Sequence, residues 1–149
     1  MNMNDIDSLR DVLVLLSKTL EKLLAAENEK TGALETGDIG KLSTLINAEQ
    51  ALVMECSAAE KRRGQICGRL GVGSMSELYK KYPQAKDNIA PAHSELLSTV
   101  KSIKKTGALN NRLLDTRLSV IKLMNSQLGI YTENTQYSKN TGSAVSGKR

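Results

Sequence analysis

Residues 5–30 read DIDSLRDVLVLLSKTLEKLLAAENEK, and large apolar side chains recur along this stretch at steps of three and four residues. Such spacing puts them on one side of an α-helix, whereas a half-buried strand would alternate apolar and polar residues. Asp5 or Asp7 can cap the start of the helix. The sequence therefore predicts a first long helix over residues 5–35. Its apolar stripe faces partner helices and consists of Ile6, Leu9, Leu13, Leu16, Leu20 and Leu23.

Turn residues bound a second helix. Gly37 followed by Asp38 is typical of one helix ending and the next beginning, and Gly71 can end the second one. We therefore expect a long helix over residues 39–70. The same three-and-four spacing continues there in Leu42, Leu45, Leu52, Cys56, Ala59, Ile66 and Leu70.

Two charged residues, Glu49 and Arg63, fall on the stripe of the second helix. Either each lies at the edge of the stripe with its charge in water, or each meets a polar partner. The edge position is favoured, because a long side chain can cover apolar surface with its stem while its charge stays solvated.

A short helix and a third long helix complete the pattern. Ser74 and Glu77 have the spacing of a capping box, which predicts a short helix over residues 75–81. Pro91 suits the first turn of a last helix, expected over residues 92–131, because its missing N–H is not needed there.

These elements predict an all-α fold, an antiparallel bundle of three long helices plus one short helix, over residues 1–131. Residues 132–149 read TENTQYSKNTGSAVSGKR, which is too poor in apolar residues to pack and predicts a flexible C-terminal tail. Of the 149 residues, 40% are hydrophobic and only 3% aromatic. The low aromatic content weighs against a β-sandwich and against base stacking on single-stranded nucleic acid.

The charge of the chain is uneven. The formal net charge is +5, and residues 92–149 hold nine Lys and Arg against three Asp and Glu. A basic half can indicate nucleic acid, but these residues are spread along predicted helix with only two short clusters. An ordinary solvated helix face is therefore favoured, and we expect no nucleic-acid partner.

Nothing in the sequence predicts catalysis, a metal or a cofactor. Cys56 and Cys67 are eleven positions apart in one predicted helix, or about 16 Å, which is too far for a disulfide. The single histidine, His93, has no companion at metal-ligand spacing. The N-terminus is polar and acidic, and no apolar run approaches the roughly 18 residues of a membrane span. We expect a cytoplasmic protein that is not an enzyme and does not insert stably into a membrane.

The last helix carries more apolar residues than one bundle seam needs. Beside its main stripe of Leu96, Val100, Ile103, Leu114, Leu118, Ile121, Met124 and Leu128 runs a second one of Leu113, Val120, Leu123, Ile130 and Tyr131. The bundle could pack both stripes internally, or two copies could pair as a homodimer. The other interpretation is an open groove that accepts an amphipathic helix from another protein. Met54 and Met124 would let such a surface repack around different ligands.

Two stretches resemble the FlgN family of flagellar export chaperones. Residues 27–71 read ENEKTGALETGDIGKLSTLINAEQALVMECSAAEKRRGQICGRLG, similar to the family's long helix, short turn and second Leu-spaced helix with Glu-x-x-Arg and a Leu-Gly stop. Residues 110–142 read NNRLLDTRLSVIKLMNSQLGIYTENTQYSKNTG, similar to its Asn-x-x-Leu-rich last helix, followed here by Tyr137 and Gly142. The resemblance covers about residues 5–142.

The resemblance implies a cytoplasmic type III export chaperone. Such a chaperone binds the C-terminal helices of the hook-filament junction proteins, prevents their premature assembly and delivers them to the export gate at the membrane. From the second stripe we expect client contacts at Leu113, Val120, Leu123, Met124, Gln127, Ile130 and Tyr131. Tyr137 is a candidate contact for the export gate component, and its alternative is an ordinary tail residue. The alternative function is a homo-oligomeric helical scaffold without client transfer.

Overall fold

Four α-helices make up the described part of the chain. A computed structural model describes residues 2–128, and no strand occurs within that range. The helices are α1 (Asn2–Thr36), α2 (Ile39–Leu70), α3 (Met75–Lys81) and α4 (Ala85–Leu128). This confirms the predicted all-α fold of three long helices and a short one. The predicted tail, residues 132–149, lies outside the described residues.

The chain divides into two units within α4. The first unit runs to Asn110, and the second begins at Asn111. The domain boundary that the sequence predicts after residue 131 falls beyond the described part of the chain and stays a prediction.

Turn chemistry sets both ends of α2. Gly37 has a φ of 74°, in the left-handed region that favours glycine. Asp38 then caps the helix, its carboxylate accepting a hydrogen bond from the amide of Lys41 at 3.0 Å. Gly71 ends the helix with a φ of 70°. The helix therefore begins and ends where the sequence predicts.

The capping box of α3 is present with one difference. Ser74 Oγ accepts a hydrogen bond from the amide of Glu77 at 3.1 Å, as expected. The Glu77 carboxylate accepts its bond from the amide of Gly73 at 3.2 Å instead of from Ser74. Both bonds satisfy amides near the start of the helix, which has no intrahelical partners for them.

The predicted cap of α1 is wrong. The helix already begins at Asn2, so Asp5 and Asp7 lie inside it. Their carboxylates bind other helices: Asp5 pairs with Arg69 of α2, and Asp7 accepts a hydrogen bond from Asn88 of α4.

Helix α4 begins at Ala85, seven residues before the predicted start, and Pro91 lies inside it. A proline there removes one intrahelical hydrogen bond, which is why the sequence favoured a place in the first turn. Ala85 and Ile89 are both completely buried, however. Burial of this first turn against the core offsets the bond that Pro91 cannot make.

The hydrophobic core lies where the first half of α1, the second half of α2, α3 and the start of α4 meet. Its largest fully buried side chains come from all four helices: Ile6, Leu9, Leu13, Ile66, Leu70, Leu78 and Ile89. Because α3 and the start of α4 contribute Leu78 and Ile89, the short helix closes this end of the first unit.

Helices α1 and α2 run antiparallel. Asp5, near the start of α1, pairs with Arg69 near the end of α2 at 3.1 Å. Lys30, near the end of α1, pairs with Glu49 in the first half of α2 at 3.0 Å.

The first part of α4 runs parallel to α1. Asn88 donates a hydrogen bond to Asp7 at 3.1 Å, and Asn110 donates one to Glu27 at 2.9 Å. Up to Asn110, therefore, the three long helices alternate in direction along the chain, as the antiparallel bundle requires.

Candidate partner-binding surface

The second half of α4 exposes large apolar side chains in close succession. Six of them, all beyond Asn110, are between 40% and 58% exposed: Leu114, Leu118, Val120, Ile121, Leu123 and Met124. Together with the partly buried Leu113, we refer to these residues as the α4 apolar face. Contiguous apolar surface of this kind is typical of a protein interaction site.

The α4 apolar face is one broad surface. At about 100° per residue, its side chains cover roughly 220° of the helix circumference. The remaining side carries polar and charged residues, among them Arg112, Asp115, Ser119 and Lys122. The two apolar stripes that the sequence shows are therefore the two sides of a single face.

Four of the predicted site residues belong to this face. Val120, Leu123 and Met124 are exposed on it, and Leu113 is partly buried. The side chain of Gln127 and the residues Ile130, Tyr131 and Tyr137 lie outside the described part of the structure, so their roles stay predictions.

Sequence reasoning missed three members of the face. Leu114, Leu118 and Ile121 belong to the main stripe, which was expected to pack in the bundle, yet they are about half exposed. The length of the last helix was the feature of the sequence that could have indicated this exposure. Helix α4 has 44 residues against 35 in α1 and 32 in α2, so its apolar stripe is longer than either of the other long helices.

An apolar groove lies between α1 and α2. It has a volume of about 300 Å³ and is lined by Leu15, Thr19, Glu55, Ala58, Ala59 and Arg62. In the run Leu13–Leu16, which is apolar on nearly every side of the helix, Leu13 and Leu16 are buried while Val14 and Leu15 are exposed. Met54, on α2, is 72% exposed.

A second groove, between α1 and the start of α4, combines apolar surface from Val14, Pro91 and Ala92 with charged side chains. It has a volume of about 390 Å³, and its lining includes Arg10, Lys18, Glu21, Asn88 and Glu95. A hydrogen bond between the Glu21 and Glu95 carboxyls raises the pKa of Glu21, with smaller contributions from burial and from the Glu95 charge.

A polar cluster joins the three long helices within the first unit. Lys30 Nζ lies 3.0 Å from Glu49 and 3.4 Å from Glu27, and the two carboxylate side chains are each only 12% exposed. Asn110 donates a hydrogen bond to the Glu27 carboxylate at 2.9 Å and accepts one from Thr31 at 2.6 Å. Each of the long helices thus contributes at least one polar side chain to the cluster.

The placement of Glu49 corrects the sequence interpretation, because its carboxyl is buried among partners and not solvated at an edge. One of its oxygens, Oε2, is buried without a hydrogen-bond partner. Arg63 does lie at the edge, where it binds Glu60 and lies 3.7 Å from the sulfur of Cys67.

The cluster shifts the pKa values of its two carboxyls in opposite directions, raising that of Glu49 and lowering that of Glu27. Burial and a hydrogen bond with Glu27 raise the pKa of Glu49, against the opposing effect of Lys30. Burial alone would raise the pKa of Glu27, but hydrogen bonds with Glu49 and Asn110 and the charge of Lys30 lower it. The Glu27 carboxyl therefore ionises more readily than the Glu49 carboxyl.

The described residues offer no metal centre and no membrane span. Within residues 2–128, no group of three or more His, Cys, Asp or Glu is placed to hold a metal ion. None of the described helices has an apolar stretch long enough to cross a bilayer. Cys56 and Cys67 are both free thiols.

Comparison with known proteins gives one match. A family model described as FlgN protein matches residues 1–142. No curated protein and no solved structure gives a significant match to this chain.

Proposed function

This chain belongs to the FlgN family of flagellar export chaperones, and on that premise we propose that it binds C-terminal amphipathic helices of hook-filament junction proteins. Binding would keep these helices from assembling early, and the chaperone would then deliver its client to the flagellar type III export gate. In this proposal the protein acts in the cytoplasm by binding alone, without a cofactor or metal.

The exposed α4 apolar face carries the proposal. Six large apolar side chains on one helix are 40% to 58% exposed, and an amphipathic helix could cover them with its own apolar side. A client segment that is disordered when free must be ordered on binding. That cost makes the complex releasable even when the contacts are specific.

Titration calorimetry with C-terminal peptides of the junction proteins tests the surface. We expect Val120→Asp with Leu123→Asp to weaken binding by about a hundredfold or more, because two charges replace apolar contacts. The matched control is Ser119→Asp with Ser126→Asp, which adds the same charge on the polar side of α4. Wild-type affinity in the first variant, with unchanged helical circular dichroism, would reject this surface.

Gate delivery is proposed separately, through Tyr137. Tyr137→Ala should lose capture of the cytoplasmic part of the export gate component while it keeps client affinity. Equal capture by the variant and the wild type would make Tyr137 an ordinary tail residue.

The same exposed face also favours a second candidate, a homo-oligomeric scaffold. Two copies could cover each other's apolar residues without any client. Light scattering separates the functions: a monomer that binds junction peptides supports the chaperone. A tight dimer that the Val120→Asp and Leu123→Asp variant dissociates, and that binds no peptide, supports the scaffold.

A further inference from the structure

The groove between α1 and α2 places an exposed leucine beside small residues. Leu15 and Thr19 of α1 line one side, and Ala58 and Ala59 of α2 line the other, around a volume of about 300 Å³. Leu15 is 56% exposed, whereas Thr19 and Ala59 are buried. This surface of α1 and α2 therefore carries both a projecting apolar side chain and a recess next to small residues.

Each end of this groove carries one negative and one positive side chain. On α2, Glu55 and Arg62 line the groove seven positions apart. On α1, Asp11 lies four positions before Leu15 and Lys22 lies seven after it, on the same side of the helix. Because α1 and α2 run antiparallel, Lys22 lies at the end of the groove that holds Glu55, and Asp11 lies at the end that holds Arg62.

Ion pairs within one copy do not neutralise these four exposed side chains. Among the described residues, Lys22, Glu55 and Arg62 form no ion pair, and Asp11 pairs only with its exposed neighbour Arg10. The two positive and two negative charges sum to zero, so the groove attracts neither a polyanion nor a polycation. A surface that matches it must itself carry charges of both signs.

We propose that this groove is a contact surface between two copies of the chain, related by a two-fold axis parallel to the helices. In this arrangement α1 of each copy lies over α2 of the other. Leu15 of each copy then enters the recess beside Ala58 and Ala59 of the other copy. Such a contact is self-complementary, because every interaction forms twice.

The same rotation brings unlike charges together. Lys22 lies over Glu55 of the other copy, and Asp11 lies over Arg62 of the other copy. Exposed ion pairs of this kind add little affinity, but they fix which surfaces meet and in which orientation.

The sizes of the facing residues select this axis. If the two-fold axis instead crossed the helices at right angles, α1 would lie over α1 and α2 over α2. Ala58 and Ala59 would then face their own counterparts and leave the recess empty, while Leu15 would face α1 of the other copy. A large residue opposite small ones fills the space without a void.

The pattern disfavours other occupants of the groove. An amphipathic client helix needs a row of apolar side chains, but Leu15 is the single large apolar residue of the lining. An anionic membrane or a nucleic acid needs a basic surface, but the acidic side chains balance the basic ones here. The contact uses no residue of the α4 apolar face and does not rest on the proposed function, so both copies of such a dimer can still bind a client.

Sedimentation equilibrium of the full chain over a range of concentrations tests the contact. We expect a weak dimer with a Kd on the order of 10 to 100 µM, because the groove is small and its edges are polar. Leu15→Asp should weaken the dimer at least about tenfold, because it places a carboxylate in each recess. The matched control Val14→Asp adds the same charge at the neighbouring exposed position, outside the lining of this groove, and should change the Kd by less than about threefold.

A charge exchange tests the orientation. Glu55→Lys should weaken the dimer about tenfold at low salt, because it meets Lys22 of the other copy. Adding Lys22→Glu to the same chain should restore the Kd to within about threefold of wild type. Adding Arg62→Glu instead should restore nothing, because that change meets Asp11 of the other copy.

The opposite results overturn the inference. It fails if the full chain stays monomeric up to about 1 mM, if Leu15→Asp dimerises as well as Val14→Asp, or if Arg62→Glu and not Lys22→Glu rescues Glu55→Lys. It also fails if Val120→Asp with Leu123→Asp dissociates the dimer, because the copies would then pair through the α4 apolar face.

Discussion

The side-chain nitrogen of Asn110 donates hydrogen bonds to two oxygens of Glu27, the main-chain oxygen at 2.8 Å and the carboxylate at 2.9 Å. Asn110 is 3% exposed and also accepts a hydrogen bond from Thr31. One side chain of α4 thus satisfies three polar groups of α1. Each of these bonds forms only when α4 has one particular axial position relative to α1. Asn110 therefore fixes the register between the two helices.

The first prediction concerns this anchor. Asn110→Leu should lower the free energy of unfolding by about 2 kcal/mol, because it removes the three buried hydrogen bonds that Asn110 makes with Glu27 and Thr31. Urea denaturation followed by circular dichroism measures the change. The control is Asn111→Leu at the neighbouring exposed position, which should change stability by less than about 0.5 kcal/mol. Equal effects of the two substitutions would contradict an anchoring role.

The second prediction concerns the raised pKa of the Glu49 carboxyl. Its folded-state pKa is raised above the ordinary value of 4.5, so the folded state holds a proton there more tightly than the unfolded state. The sign follows from linkage: Glu49 costs stability as pH rises through the window above 4.5, when its carboxyl ionises in the cluster. Glu49→Gln, which mimics the protonated form, should therefore stabilise the protein near pH 8 and change it little near pH 4.

Denaturation at a series of pH values measures this difference. The matched control is Glu55→Gln, which removes the same charge at an exposed position of the same helix, outside the cluster. If Glu49→Gln destabilised the protein equally at both pH values, the ion pair with Lys30 would outweigh the cost of burying Glu49, and the raised pKa would be contradicted.

Local chemistry explains which parts of the fold the sequence predicted well. The glycine and aspartate of the Gly37–Asp38 turn and the glycine at 71 act through their own φ angles and capping bonds. Such interactions involve residues close in sequence and can be read from it. The spacing of apolar residues likewise predicts helices, because the period of a helix is local.

The misplaced features depend on residues far apart in sequence. Glu49 meets Lys30 across 19 positions, and Ala85 and Ile89 are buried against other helices. No local pattern distinguishes these environments from a solvated edge or a loop. The same holds for the α4 apolar face: spacing shows that Leu118 and Ile121 are on one side of a helix, but not whether a neighbour covers them.

The third prediction compares two glycines near the end of α2. Gly71 has a φ of 70°, and a Cβ there would lie 2.8 Å from Lys81 Nζ. Gly71→Ala should cost about 1 to 2 kcal/mol, the penalty of the left-handed region for a residue with a Cβ. Gly68 lies within the helix, and a Cβ added there would meet no neighbouring side chain within 4 Å, so Gly68→Ala should stabilise by about 0.5 to 1 kcal/mol. Thermal unfolding with effects of the same sign would contradict this account.

The fourth prediction concerns the contribution of α3 to the core. Leu78 is completely buried, so Leu78→Ala should lower the free energy of unfolding by about 2 to 5 kcal/mol through lost apolar contact and the cavity left behind. The matched control is Leu97→Ala, at a position that is 53% exposed, with an expected loss below about 1 kcal/mol. If urea denaturation gave similar losses for the two variants, α3 would not close the core.

The fifth prediction compares the α4 apolar face with the exposed apolar side chains of α2. Val53 and Met54 are exposed side chains on α2, 50% and 72% respectively, and neither belongs to the α4 apolar face. Val53→Asp with Met54→Asp adds the same two charges as the Val120→Asp and Leu123→Asp variant. Since the proposed client site is on α4, calorimetry with the junction peptides should give an affinity within about threefold of wild type for the α2 variant, a change below about 1 kcal/mol. A loss as large as that of the α4 variant would instead place the client on the hairpin of α1 and α2, because the charge change is the same and only the surface differs.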